Sequence, residues 1–128
     1  MRVVYDTNVL VTILLRRGEI LKFKQAVLTG NIVPVTSNFI LDELSEVLQH
    51  KLGLTKQKSK ANVRVFARVA EIVKPIVIEK IARDPDDDNI LAAALISRAE
   101  YIITLDKDLL ILKEYEGIKI VTPTDFRK

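Results

Sequence analysis

The 128-residue chain has no cysteine and no tryptophan, one histidine (His50) and four glycines. Without cysteine there is no disulfide framework, no thiolate–zinc site and no thiol nucleophile. One imidazole cannot build a histidine-rich metal centre. Gly18, Gly30, Gly53 and Gly117 are too sparse to write G-x-G-x-x-G or G-x-x-x-x-G-K-[ST], which excludes phosphate cradling by a glycine-rich loop. Long apolar runs are also missing. The stretch Val9–Leu15 is too short to span a bilayer, follows Asp6 and precedes Arg16-Arg17, the reverse of a secretory signal. A cytoplasmic protein without membrane association is expected. Seven aromatics (three Tyr, four Phe) argue against extensive base stacking.

What is present describes one compact domain over residues 1–128. Hydrophobic residues make up 48% and charged residues 29%, a globular balance, and a chain of this length buries roughly two-thirds of its surface on folding. Short β-branched runs alternate with longer helical patterns, which defines an α/β fold with a parallel sheet. The pattern predicts strands at Arg2–Tyr5, Ile32–Thr36, Pro75–Ile78, Tyr101–Leu105 and Lys119–Val121. Helices are predicted over about 7–15, 19–29, 38–52, 55–73, 86–99 and 108–115.

Polar residues gather where strands end. The first strand leaves into Asp6-Thr7-Asn8, the second into Thr36-Ser37-Asn38, the fourth into Thr104-Leu105-Asp106-Lys107-Asp108. In open parallel sheets the ligand crevice lies beyond the carboxyl ends of the strands, although the same residue types also serve simply as helix N-caps. Helix angles sort the acids further. On the helix after Ser37, Ile40, Leu44, Val47 and Leu48 form an apolar stripe; Asp42 and Glu46 point away from it, and Glu43 lies on its margin. In Asp84-Pro85-Asp86-Asp87-Asp88, Asp84 reads as an N-cap, Pro85 as the first helical residue, and Asp86 and Asp87 as partners of the helix dipole. Asp88, in line with Ala92, Leu95 and Ala99, is expected to face inward as Glu43 does.

The candidate set is therefore Asp6, Glu43, Asp88 and either Asp106 or Asp108. Two carboxylates about 5 Å apart repel by roughly 3 kcal/mol at an effective dielectric of 20. Four together require protonation or a cation, and an all-oxygen set selects a hard ion, Mg²⁺ or Mn²⁺. With thiol and imidazole excluded, a metal-activated water is the nucleophile expected of such a site.

Charge suggests the substrate. Net charge is +3, and no acidic residue interrupts Val47–Ala70, where Lys51, Lys56, Lys58, Lys60, Arg64 and Arg68 fall. Lys60, Arg64 and Arg68 stack at i, i+4 and i+8 opposite a predicted core face of Val63, Phe66, Val69, Ala70 and Val73. Like charges so placed repel unless an anion such as a nucleic-acid backbone offsets them; the alternative is an ordinary solvated face.

Taken together, Val3-Val4-Tyr5-Asp6-Thr7-Asn8, Ser37-Asn38-Phe39-Ile40-Leu41-Asp42-Glu43-Leu44, Asp84-Pro85-Asp86-Asp87-Asp88-Asn89-Ile90-Leu91-Ala92-Ala93-Ala94, Thr104-Leu105-Asp106-Lys107-Asp108-Leu109 and Thr122-Pro123-Thr124-Asp125-Phe126 resemble, in order, the motifs of the PIN-domain family of metal-dependent ribonucleases, in particular its small VapC-type toxins. The resemblance implies a three-layer α/β/α sandwich with a five-stranded parallel sheet, a Mg²⁺ or Mn²⁺ site, and endonucleolytic cleavage of single-stranded RNA. It places Asp6, Glu43 and Asp88 at the family's first three acids and Asp106, or in its place Asp108, at the fourth. It gives Thr7, Asn8, Ser37 and Thr104 supporting positions around them. It also implies a homodimer and a small antitoxin partner. The rival readings are a non-catalytic RNA- or protein-binding module that keeps an acidic pocket, and a phosphatase-like domain with Asp6 as nucleophile.

Overall fold

A computed structural model describes residues 1–127. Strand β1 (Arg2–Tyr5) runs into helices α1 (Thr7–Leu15) and α2 (Arg17–Leu28), then β2 (Val33–Ser37) and α3 (Asn38–Glu46), which continues as a π-helical turn over Val47–Lys51. Helix α4 (Lys56–Ala67), β3 (Glu71–Val73), α5 (Pro85–Ser97) and β4 (Tyr101–Ile103) follow. The chain closes with α6 (Lys107–Leu110), the hairpin β5 (Glu114–Tyr115) and β6 (Ile118–Val121), and α7 (Pro123–Arg127).

The sheet order is β3-β2-β1-β4-β6-β5. Five strands are parallel, and only β5 runs antiparallel to its neighbour. From β1 the chain steps outward to β2 and β3, then returns across the sheet to β4 and β6. Because such crossovers are right-handed, α1–α4 cover one face and α5 and α6 the other, the expected α/β/α sandwich. Covered on both sides, β1 buries Val3, Val4 and Tyr5 consecutively, which is why these strands read as continuous apolar runs. The direction of winding reverses between β1 and β4. Beyond the carboxyl ends of those two strands lies the crevice of a topological switch point.

Three expectations are corrected. The third parallel strand is Glu71–Val73 and not Pro75–Ile78; Pro75 has no N–H to give to a ladder, and Ile76 beyond it is 93% exposed. Accordingly α4 ends at Ala67, well before residue 73, and Val69, expected in the core, is exposed. The helix expected over 108–115 ends at Leu110; Lys113, at a φ of 60°, leads the chain out of it, and Glu116 and Gly117, both at positive φ (50° and 82°), turn it between Tyr115 and Ile118. Two positive φ values in a two-residue loop are the turn that joins hairpin strands, and they add a sixth strand to the five expected.

Candidate metal centre

Strand β1 delivers Asp6 directly into the switch-point crevice. Its carboxylate is doubly anchored: Oδ1 accepts the Thr7 N–H at 2.7 Å as the cap of α1, and Oδ2 accepts the Thr104 hydroxyl at 2.7 Å. Strand β4 supplies Thr104, whose Oγ1 also accepts the Asp106 N–H at 2.9 Å, and Asp106 in turn caps α6 through the Asp108 N–H at 2.8 Å. Capping and crevice-lining are therefore one task here. Each strand-end acid satisfies a helix terminus with one oxygen and keeps the rest of its carboxylate toward the crevice.

The third acid comes from α5, and it is Asp87. Ligand atoms of Asp6, Asp87 and Asp106 lie within 4.8 Å of one another. Asp87 is 4% exposed, and among the described residues its Oδ2 has no hydrogen-bond partner. Asp88, expected to face the other acids, does not join them; its Oδ1 accepts the N–H groups of Ile81 at 2.9 Å and Ala82 at 2.7 Å. The reason lies in the composition of α5, which is apolar on nearly every side. Asp87 is in line with Ile90, Leu91 and Ala94, all fully buried against the sheet, whereas the row of Asp88 runs through Leu95, which is 42% exposed.

Glu43, on α3, accepts a hydrogen bond from the Thr7 hydroxyl and approaches Asp86, so it stands beside the trio and is tied to it through the residue that follows Asp6. Of the expected supporting residues, Thr7 and Thr104 hold carboxylates. Ser37 caps α3 through the Ile40 N–H at 3.4 Å, and Asn8 is exposed. Asp108 is half-buried and outside the trio.

Crowding of negative charge shows in the titration of these groups. Burial, reinforced by the charges of Asp106, Asp6, Asp84 and Asp108, pushes Asp87 up to about 7. Burial, then a hydrogen bond with Asp86 and the charges of Asp86 and Asp6, pushes Glu43 up to about 7 against the opposing Thr7 hydrogen bond. Asp6 is raised by burial, against the hydrogen bonds from Thr104 and Thr7. Such a set is held either by protons or by a cation. An orphaned buried oxygen on Asp87 facing two further carboxylates fits a hard dication with oxygen ligands.

The basic residues lie on the neighbouring helix. Lys60 and Arg64 on α4, and Arg68 at its end, are all exposed, and among the described residues none has an acidic partner within 4 Å. Helix α4 packs on α3, the helix that carries Glu43.

An open parallel sheet with an acidic trio at its switch point defines a class of α/β domains suited to metal-assisted phosphate chemistry. Within that class, residues 2–108 match the model of the PIN domain, and the chain belongs to the PIN-domain family, whose members are generally metal-dependent nucleases. An uncharacterized protein of Methanocaldococcus jannaschii, MJ1680, is 32% identical over 139 aligned residues that cover 98% of this chain and 88% of the relative. Two solved structures share the fold. VapBC2 from Rickettsia felis, bound to a DNA fragment from its promoter, matches with a TM-score of 0.66 and 14% identity, covering 94% of this chain and 97% of its counterpart. VapBC-1 from nontypeable Haemophilus influenzae matches with a TM-score of 0.66 and 17% identity, covering 97% and 99%. Among the described residues no helix is long and apolar enough to cross a membrane.

Proposed function

We propose that this chain is a divalent-metal-dependent endoribonuclease that cuts single-stranded RNA in the cytoplasm. The observation that carries the reading is the unpartnered, buried oxygen of Asp87 among the carboxylates of Asp6 and Asp106. Asp6, Asp87 and Asp106 would hold Mg²⁺ or Mn²⁺, with Glu43 at the margin of the site. An ion held there lowers the pKa of a coordinated water and offsets charge on a phosphoryl oxygen. The chain's own groups do the rest. Thr104 fixes Asp6 and the backbone of Asp106 relative to each other, so two strands present their acids in one register. Thr7 holds Glu43 at the edge of the crevice, where its carboxyl is placed to take up a proton. Lys60, Arg64 and Arg68 would bind the phosphodiester backbone that runs to the acids.

The phosphatase-like alternative gives no role to Asp87 or Glu43. Resemblance of the fold to the VapBC structures supports a toxin role, with a small antitoxin as partner and a homodimer as the assembly. The test is titration of Mn²⁺ into the protein with fluorescent single-stranded RNA present. Cleavage that requires the ion and disappears in Asp6→Asn supports the reading. Binding of RNA without cleavage, or equal cleavage by Asp6→Asn, overturns it.

A further inference from the structure

On the α1–α4 face, under α7, lies a cavity of about 490 Å³ whose lining includes the chain neighbours of two of the acids, though none of the acids themselves. Tyr5, which forms its floor, immediately precedes Asp6. Leu105, in its wall, lies between Thr104 and Asp106. Cavity and acid trio thus share the last residues of β1 and β4, one on the helix α1–α2 side and the other facing α5. Its volume is that of a small-molecule site.

Two features indicate what it takes. The floor is aromatic: Tyr5 meets Phe23 edge to face, with ring centroids 5.7 Å apart. Tyr5 is 4% exposed as a residue, and among the described residues its hydroxyl makes no hydrogen bond and is not one of the fully buried unpaired atoms, so it is left for water or a ligand in the cavity. The lip is cationic. Arg16, Lys22 and Arg127 line it; Arg127 pairs with Glu19, whereas Arg16 and Lys22 have no acidic partner within 4 Å among the described residues. A flat aromatic ligand carrying phosphate matches both features, the ring on the apolar floor with its polar edge toward the Tyr5 hydroxyl, and the phosphate between Arg16 and Lys22.

The geometry points to this cavity as the seat of one unstacked nucleobase of the substrate strand, next to the phosphodiester at the acid trio, and so to Tyr5, Arg16 and Lys22 as determinants of where the RNA is cut. This rests on the nuclease reading for its meaning. Single-stranded RNA is read in this way elsewhere, by bases splayed onto aromatic surfaces and hydrogen-bonded at their edges. One base in one cavity also agrees with a chain of seven aromatics.

The experiment uses the full chain in metal-free buffer with chelator, so that no cation bridges phosphate to the acids. The four nucleoside 5′-monophosphates are titrated and followed by amide NMR. Shifts centred on Tyr5, Phe23 and Leu105, with one base preferred, are expected. Lys22→Glu, an exposed change that folding tolerates, should weaken binding about tenfold. Ala26→Trp, which fills the cavity wall, should abolish it, with Mn²⁺ binding on the same sample reporting that the variant is folded. Tyr5→Phe should level the preference among bases. Shifts confined to α4 or the acids, binding unaffected by Lys22→Glu and Ala26→Trp, or occupation by an apolar peptide but by no nucleotide would each overturn the inference. The two readings fail distinguishably: cleavage with the cavity empty sinks only this site, whereas a nucleotide seated in the cavity without any metal-dependent cleavage sinks the nuclease and with it the cavity's part in placing the cut, leaving a nucleotide-binding site.

Discussion

The two sides of the first turn of α5 present the same chemistry to opposite surroundings. Asp87 and Asp88 are adjacent and equally buried, at 4% and 5% exposure. Asp88 is met by two backbone N–H groups from the 81–82 segment; Asp87 meets two more carboxylates, and its Oδ2 meets nothing. Burial of an acid therefore does not mark a functional site by itself. What marks it is burial without donors, since a carboxylate deprived of both water and N–H groups is stable only with a proton or a cation.

Exchanging one residue on each side should separate these roles, and it carries the largest expected effect. Asp87→Asn is expected to remove metal-dependent cleavage and reduce Mn²⁺ affinity at least 100-fold while the fold survives, as read by calorimetric titration and circular dichroism. Asp88→Ala is expected to keep Mn²⁺ binding but to lower stability by about 1–3 kcal/mol, because the Ile81 and Ala82 N–H groups lose their acceptor. The reverse pattern, with Asp88→Ala losing the metal and Asp87→Asn only destabilised, would return the third acid to Asp88.

That exchange also shows where the sequence was legible. Asp6 could be placed, and a further acid narrowed to Asp106 or Asp108, because these residues follow apolar strands at a switch point, a position fixed by chain topology. Glu43 could be placed because α3 has a clear apolar stripe. The choice between Asp87 and Asp88 depends on which side of a helix faces the sheet, and Ile90-Leu91-Ala92-Ala93-Ala94-Leu95-Ile96 is apolar all the way round, so its periodicity holds no such information. One signal was available: the row of Asp87, with Ile90, Leu91 and Ala94, is bulkier than the row of Asp88, with Ala92, Leu95 and Ala99. In the same way Pro75 gave notice that Ile76–Ile78 would not pair, and Glu116-Gly117 that a hairpin would interrupt the last helix.

Removing a donor rather than an acid tests the comparison from the other side. Among the described residues, Thr104 is the one side chain that hydrogen-bonds to both strand-end acids. Thr104→Val keeps the shape of the side chain and deletes the hydroxyl, freeing Asp6 Oδ2 and the Asp106 N–H together. Loss of such support for a metal ligand typically costs 10- to 100-fold in affinity or activity, so Mn²⁺ affinity should fall by about that factor. An unchanged affinity would mean that capping by Thr7 and Asp108 suffices to hold the two carboxylates.

The unmet demand of Asp87 should also appear in the pH dependence of the metal-free protein. Asp87 and Glu43 titrate near 7 when folded against about 4 when unfolded. The folded state thus binds these protons more tightly, so the stability they confer is complete below about pH 4 and is lost as pH rises toward 7. Melting temperatures in chelator should fall over that window more steeply for the wild type than for Asp87→Asn, which carries no charge there. Added Mn²⁺ should recover the loss at pH 7, where the ion replaces the protons. A wild type and Asp87→Asn with parallel profiles would show that the trio is relaxed without a cation.

The smallest effect is expected farthest from the trio. Lys60, Arg64 and Arg68 form an unpaired cationic face on a helix that packs on α3, and each phosphate contact made by such a face contributes about 0.7 to the slope of log affinity against log salt for a single strand. Changing all three to Ala should lower the slope for single-stranded RNA by about 2 while Mn²⁺ affinity in the absence of RNA stays the same. Since α3 carries Glu43 and α4 lies against it, a strand held along α4 would reach the acids from the Glu43 side. A slope unaltered by the triple change would show that the strand does not run along α4 and that this face is merely solvated.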